Sequence, residues 1–171
     1  MFNESRGRNS LDTPIIRVLV VEDHESWRRF FATELQKEPG LRIIGQVADG
    51  VEAVQQAKEL QPDLVLLDIG LPTLNGIQAA RRICGVSPTS KILFVSENRC
   101  PDVVREALSN GASGYVVKSD AGSELLPAIK AALEGKRFIS AGLAGQLLVA
   151  TTLSATQRML SWMVAFISGI R

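Results

Sequence analysis

Short, almost wholly apolar runs alternate along the chain with longer segments in which apolar residues recur every three to four positions. The runs cover residues 15–21, 42–47, 64–67, 91–95 and 114–117. Their length and their content of β-branched residues predict strands. Between them, Trp27, Phe30, Phe31 and Leu35 fall on one face of a helix. Val51, Val54, Ala57 and Leu60 do the same, as do Ile77, Ala80 and Cys84, then Val103, Val104 and Leu108, then Leu125, Leu126, Ile129 and Leu133. Five strands alternating with five helices predict an α/β fold with a doubly wound, five-stranded parallel sheet. The runs are almost wholly apolar, as strands covered by helices on both faces are. The repeat of about 25 residues is the βα unit and not an internal duplication. Pro39-Gly40 after the first helix, Gly50 before the second, Pro62-Asp63 before the third strand and Gly111 after the fourth helix punctuate the same pattern.

The pattern stops near Gly135. Residues 1–14 are mostly polar and are expected to form a mobile arm. Residues 136–171 contain Lys136, Arg137, Arg158 and Arg171 but no Asp or Glu, and a last helix is expected between Leu153 and Ile170. A length of 171 residues accommodates one domain plus an appendage. With 46% hydrophobic and 22% charged residues the chain is globular and not disordered. Lys+Arg of 19 against Asp+Glu of 18 speaks against a strongly basic nucleic-acid binder. Two cysteines, Cys84 and Cys100, are too few for a disulfide scaffold, and reduced thiols in the cytoplasm are expected. The polar N-terminus lacks the apolar core of a signal peptide, and no apolar run reaches the length of a membrane span.

Ligands of an open α/β sheet bind beyond the carboxyl ends of its strands, where the strand order reverses. Glu22 and Asp23 follow the first predicted strand, Asp68 the third, Ser96 the fourth and Lys118 the fifth. Crowded carboxylates repel one another unless a cation neutralises them. An all-oxygen donor set suits Mg²⁺, which also prefers phosphate oxygens. A lysine and a hydroxyl facing such a metal would complete a phosphoryl site. Asp68 is the best nucleophile, because it is carried by the buried strand Leu64-Val65-Leu66-Leu67 and a carboxylate can attack phosphorus to give an acyl phosphate. Each residue alone has a plainer explanation. Asp23 could cap a helix starting near Ser26, Ser96 could be a turn residue, and Lys118 could be solvated. The set together is what points to chemistry.

These residues are also familiar as a set. Val18-Leu19-Val20-Val21-Glu22-Asp23-His24 resembles the opening of bacterial response-regulator receiver domains. Leu64-Val65-Leu66-Leu67-Asp68-Ile69-Gly70-Leu71-Pro72, followed by Asn75-Gly76, is similar to their phosphoacceptor segment, and Gly111-Ala112-Ser113-Gly114-Tyr115-Val116-Val117-Lys118 to their last strand. The wording of 68–76, and Lys118-Ser119-Asp120 without a proline after the lysine, is closest to the NarL/FixJ subfamily. The resemblance covers residues 15–138 and implies a flavodoxin-like (βα)5 fold. It implies that Asp68 accepts a phosphoryl group from a histidine kinase or phosphotransfer protein. Glu22, Asp23, Asp68 and the Gly70 carbonyl would hold Mg²⁺, Lys118 would pair with the phosphoryl group, and Ser96 would donate a hydrogen bond to it. Tyr115 would be a switch that turns inward as Ser96 moves; the alternative is a half-buried strand aromatic. His24, the only histidine, would lie beside the metal without ligating it. The added charge would bias the surface of the fourth helix, fifth strand and fifth helix toward protein contact or dimerisation.

That subfamily ordinarily continues into a LuxR-type helix-turn-helix. Leu153-Ser154-Ala155-Thr156-Gln157-Arg158-Met159-Leu160 resembles its first helix, but no recognition helix follows, so 139–171 is expected to be a hydrophobic helical tail, a truncated remnant of an output domain. Met159, Leu160, Met163, Val164, Phe166, Ile167 and Ile170 need cover, from the receiver itself or a second copy, from another protein, or from a membrane surface. The expected function is that of a signalling phosphoacceptor and not an enzyme with turnover. A transcription regulator with a diverged DNA-binding region is the alternative. A haloacid-dehalogenase-type hydrolase would need an acid two residues after the nucleophile, where Gly70 stands. The intact acid set speaks against a receiver that is never phosphorylated.

Overall fold

The computed structural model describes residues 14–147. The chain runs β1 (Ile16–Val21), α1 (Glu25–Leu35), β2 (Leu41–Val47), α2 (Gly50–Leu60), β3 (Leu64–Leu67), α3 (Gly76–Val86), β4 (Lys91–Ser96), α4 (Pro101–Ser109), β5 (Gly114–Val117), a 3₁₀ turn (Lys118–Asp120), α5 (Ala121–Leu133) and β6 (Phe138–Ile139). A further helical stretch covers 141–147. All strands are parallel, in the order β2-β1-β3-β4-β5-β6.

Side chains alternate across the sheet and build two cores. Leu19, Val21, Val65, Leu67, Phe94 and Tyr115 point to the face covered by α2, α3 and α4. Val18, Val20, Leu64, Leu66, Val95 and Val116 point to the face covered by α1 and α5. β3 and β5 are buried along their whole length, which is why their sequences carry no polar position. Asp49 caps α2 by accepting from Val51 N at 2.7 Å and Glu52 N at 3.2 Å.

The expected five-stranded sheet has a sixth, two-residue strand. β6 pairs with β5 through Gly114–Phe138 and Tyr115–Ile139 and covers what would otherwise be an open edge. The expected boundary at 138 therefore falls inside the folded unit. Ser140 and Leu143 are fully buried, and Leu143 and Leu147 join the core that contains Tyr115 and Val104. All of the expected arm over 1–14 except Pro14, and the apolar positions from Leu153 onward, lie outside the described residues.

Candidate phosphoryl site

β1 is flanked by β2 on one side and β3 on the other, so strand order reverses between β1 and β3. Glu22 and Asp23 leave the end of β1 there, and Asp68 leaves the end of β3. Both backbones are held as continuations of the sheet: Glu22 N donates to Val47 O and Asp68 N to Val21 O, each at 3.0 Å. Arg28, one turn into α1, donates to the carbonyls of Glu22 and Asp23, both at 2.7 Å, and so ties the acidic turn to the helix that follows. The loop after Asp68 folds back closely: a Cβ on Gly76 would stand 1.9 Å from the Asp68 carbonyl oxygen, so only glycine fits where α3 begins.

Lys118 opens the turn after β5 and reaches across the end of β4. Its Nζ lies 2.7 Å from Glu22 Oε2 and donates to Asp68 Oδ2 at 3.0 Å. All three side chains are buried, at 0% exposure for Glu22, 6% for Asp68 and 4% for Lys118. Asp68 Oδ1 accepts from Ile69 N at 2.7 Å. The Glu22–Lys118 contact has ion-pair distance without hydrogen-bond alignment, and Glu22 Oε2 has no aligned donor. Burial pushes the Glu22 carboxyl above the usual carboxylate range, with Lys118 opposing. Burial also works against the Lys118 ammonium, but Glu22 and Asp68 outweigh it and hold its pKa above that of an ordinary lysine.

Asp23 does not cap α1. Its Oδ1 lies 2.9 Å from His24 Nδ1, and His24 occupies the cap position without a side-chain bond. That hydrogen bond raises the pKa of the exposed imidazole. Glu22, Asp23 and His24 bring one donor atom each within 4.8 Å of one another, and Asp68 stands outside this group, linked to it through Lys118. Ser96 is the last residue of β4 and is buried; its Oγ accepts from Asn98 N at 3.5 Å. Ser96, Asp68, Gly70 and Lys118 line a common cavity of about 420 Å³, together with His24, Trp27 and Asn98.

Tyr115 is not the half-buried strand residue of the plainer expectation. It is wholly buried, its ring lies 6.2 Å from that of Phe94, and its hydroxyl donates to Asn98 O at 2.7 Å. Burial pushes its pKa up to about 12. Tyr115 and Ser96 thus meet on the same short loop after β4.

Residues 18–130 match the model of the response regulator receiver domain. The chain belongs to that family. The receiver is 34% identical over 134 residues to the transcriptional regulatory protein LiaR of Bacillus subtilis, covering 78% of this chain and 64% of LiaR. It is 35% identical over 133 residues to the response regulator GacA of Pseudomonas viridiflava, covering 78% of this chain and 62% of GacA. The crystal structure of a LuxR-family two-component response regulator from Aurantimonas sp. SI85-9A1 superposes with a TM-score of 0.77 at 32% identity, over 81% of this chain and 99% of that one. The match thus spans a little under two thirds of these curated relatives. Receiver domains are modules of two-component response regulators, which places this chain in signalling. Among the described residues no helix is long and apolar enough to cross a membrane.

Four contributors to the site carried no signal in the sequence reading. Trp27 sits where helical spacing marks packing, Arg28 acts on backbone carbonyls, Gly76 counted only as part of a motif, and the Asn98 carbonyl is backbone. A glycine beside an N-capping Asn75, whose Oδ1 accepts from Gln78 N at 2.9 Å, was the one legible hint of a tight loop closure.

Proposed function

We propose that this receiver is the phosphoacceptor of a cytoplasmic two-component system and that Asp68 is the residue modified. An Asp68 carboxylate oxygen attacks the phosphorus of a phosphohistidine on a histidine kinase or phosphotransfer protein. The P–O bond forms as the P–N bond breaks, and the imidazole nitrogen keeps the electron pair. Hydrolysis later returns Asp68 to the carboxylate and releases phosphate, without a leaving-group acid in the site. That fits slow self-dephosphorylation and not enzymatic turnover. The supporting observation is the arrangement of Asp68 at the strand-order reversal, with the buried Lys118 ammonium 3.0 Å from its Oδ2.

The residues fit a hard dication. Glu22, Asp23 and Asp68 outnumber the single ammonium, and a buried Glu22 oxygen lacks an aligned donor. Glu22, Asp23, Asp68 and the Gly70 carbonyl would hold Mg²⁺. When bound it would neutralise phosphate oxygens and so lower the barrier to in-line attack. Lys118 pairs with the phosphoryl group and Ser96 donates its hydroxyl to it. A shift of Ser96 moves the loop carbonyl that Tyr115 holds, which carries the signal to α4, β5 and α5. The output is protein contact or dimerisation through that face or through the residues after 138. Domain limits of 1–14, 15–138 and 139–171 describe this organisation, with the first turns beyond 138 belonging structurally to the receiver. Intact mass after incubation with acetyl phosphate and Mg²⁺ tests the chemistry.

A second reading is favoured by the relative LiaR, which is named a transcriptional regulatory protein. Here the receiver would govern transcription through a DNA-binding region. A salt-dependent gel shift with the full chain would support it; no shift at low salt would remove it.

A further inference from the structure

Trp27 forms part of the wall beside the acidic cluster and adds no charge to it. It lies in the first turns of α1 and lines the cavity with Asp68, Ser96 and Lys118. Its ring centroid is 5.3 Å from Lys118 Nζ, within cation–π reach. The ring is braced: Phe30 meets it edge-on at 5.3 Å and 84°, and the buried Phe31 packs at 5.9 Å. Lys118 is almost wholly withdrawn from water, the condition under which an ammonium gains most from an aromatic face.

The partners of that ammonium must change during the reaction. Before it, Lys118 faces two carboxylates, Glu22 and Asp68. Once Asp68 is esterified, one of these charges is gone and phosphoryl oxygens take its place. Glu22 and the indole face are the partners that esterification leaves chemically unchanged, and the indole is the uncharged one of the two. We propose that Trp27 is a positioning residue for Lys118, keeping the ammonium in the pocket while the Asp68 carboxylate beside it is exchanged for phosphoryl oxygens. This rests on the phosphoacceptor reading of the site.

The test compares the wild type with Trp27→Leu, which keeps apolar bulk without an aromatic face, and Trp27→Phe, which keeps a smaller face. The rate constant for labelling by acetyl phosphate with Mg²⁺ is expected to fall roughly three- to thirtyfold in Trp27→Leu and about twofold or less in Trp27→Phe. In a Lys118→Ala background the difference between Trp27 and Leu should vanish. Separately, with no phosphoryl donor present, the NMR signals of the Lys118 ε-methylene protons should lose a ring-current shift in Trp27→Leu and retain part of it in Trp27→Phe. Leu equal to wild type in rate, Phe as slow as Leu, an undiminished Leu effect without Lys118, or unmoved ε-methylene signals would each overturn the proposal. A wild type that never labels would instead overturn the phosphoacceptor reading, and the NMR comparison would still decide whether Trp27 holds Lys118.

Discussion

Replacing Lys118 by methionine exposes what holds the centre of this molecule together. The substitution keeps the aliphatic stem and removes the one ammonium among Glu22, Asp23 and Asp68. Glu22 and Asp68 are buried, and both lie within 3.0 Å of the ammonium. Breaking a buried ion pair by deleting one partner costs about 3–5 kcal/mol, because the remaining charge has neither water nor counterion. For a domain of ordinary stability, about 5–15 kcal/mol, that is a large share. The loss depends on pH. Burial raises the Glu22 pKa, so its neutral form is favoured by folding. A carboxyl raised in this way contributes stability below its unfolded value and loses it as pH rises through its folded value. The deficit of Lys118→Met should therefore be small near pH 4 and full at pH 7. A divalent cation should restore part of it, since a ligand at one hundred times its dissociation constant adds about 2.7 kcal/mol. Urea unfolding followed by circular dichroism, with EDTA or with Mg²⁺, measures all three effects. A variant within about 0.5 kcal/mol of wild type at pH 7 in EDTA would refute the reasoning, since that is the range of a neutral surface change.

Three further outcomes follow from the same geometry. Gly76→Ala forces a methyl to within 1.9 Å of the Asp68 carbonyl, and should cost about 3 kcal/mol or more and abolish labelling; a melting temperature near wild type would contradict the close approach. Ser140→Ala strips the buried Val117 N–H of its 2.9 Å acceptor and Glu124 of its hydroxyl partner, and should destabilise by about 1–3 kcal/mol in urea unfolding. Tyr115 is the chain's single tyrosine, so ultraviolet titration of tyrosinate reports it alone. It should ionise near pH 12, and because the neutral phenol is favoured by folding, stability should be retained below pH 10 and lost as pH rises toward that value; a midpoint at 10 would mean an exposed ring.

Much of this was legible in the sequence for a physical reason. Strands buried on both faces must be apolar throughout, so β3 and β5 announced themselves, and the polar residue that ends such a strand stands out against it. Asp68 and Lys118 were visible in this way. β6 was not, because two half-buried residues, Phe138 and Ile139, make no run. For Tyr115 the sequence left an inward-turning switch and a half-buried strand aromatic both open; the packing of Val104 and Leu143 into the same core makes the ring interior. Trp27 sits on the helical face shared by Phe30, Phe31 and Leu35, where spacing reads as packing and hides its contact with Lys118. Arg28 acts on backbone carbonyls, which no residue pattern encodes.

The central claim is that Asp68 accepts a phosphoryl group. Intact mass of the full chain, with acetyl phosphate and Mg²⁺ and then with EDTA in place of the metal, tests it most directly. One phosphoryl adduct in the wild type, lost with EDTA and absent from Asp68→Asn, is the predicted result. An adduct that persists in Asp68→Asn, or none in the wild type with any phosphoryl donor, would contradict it.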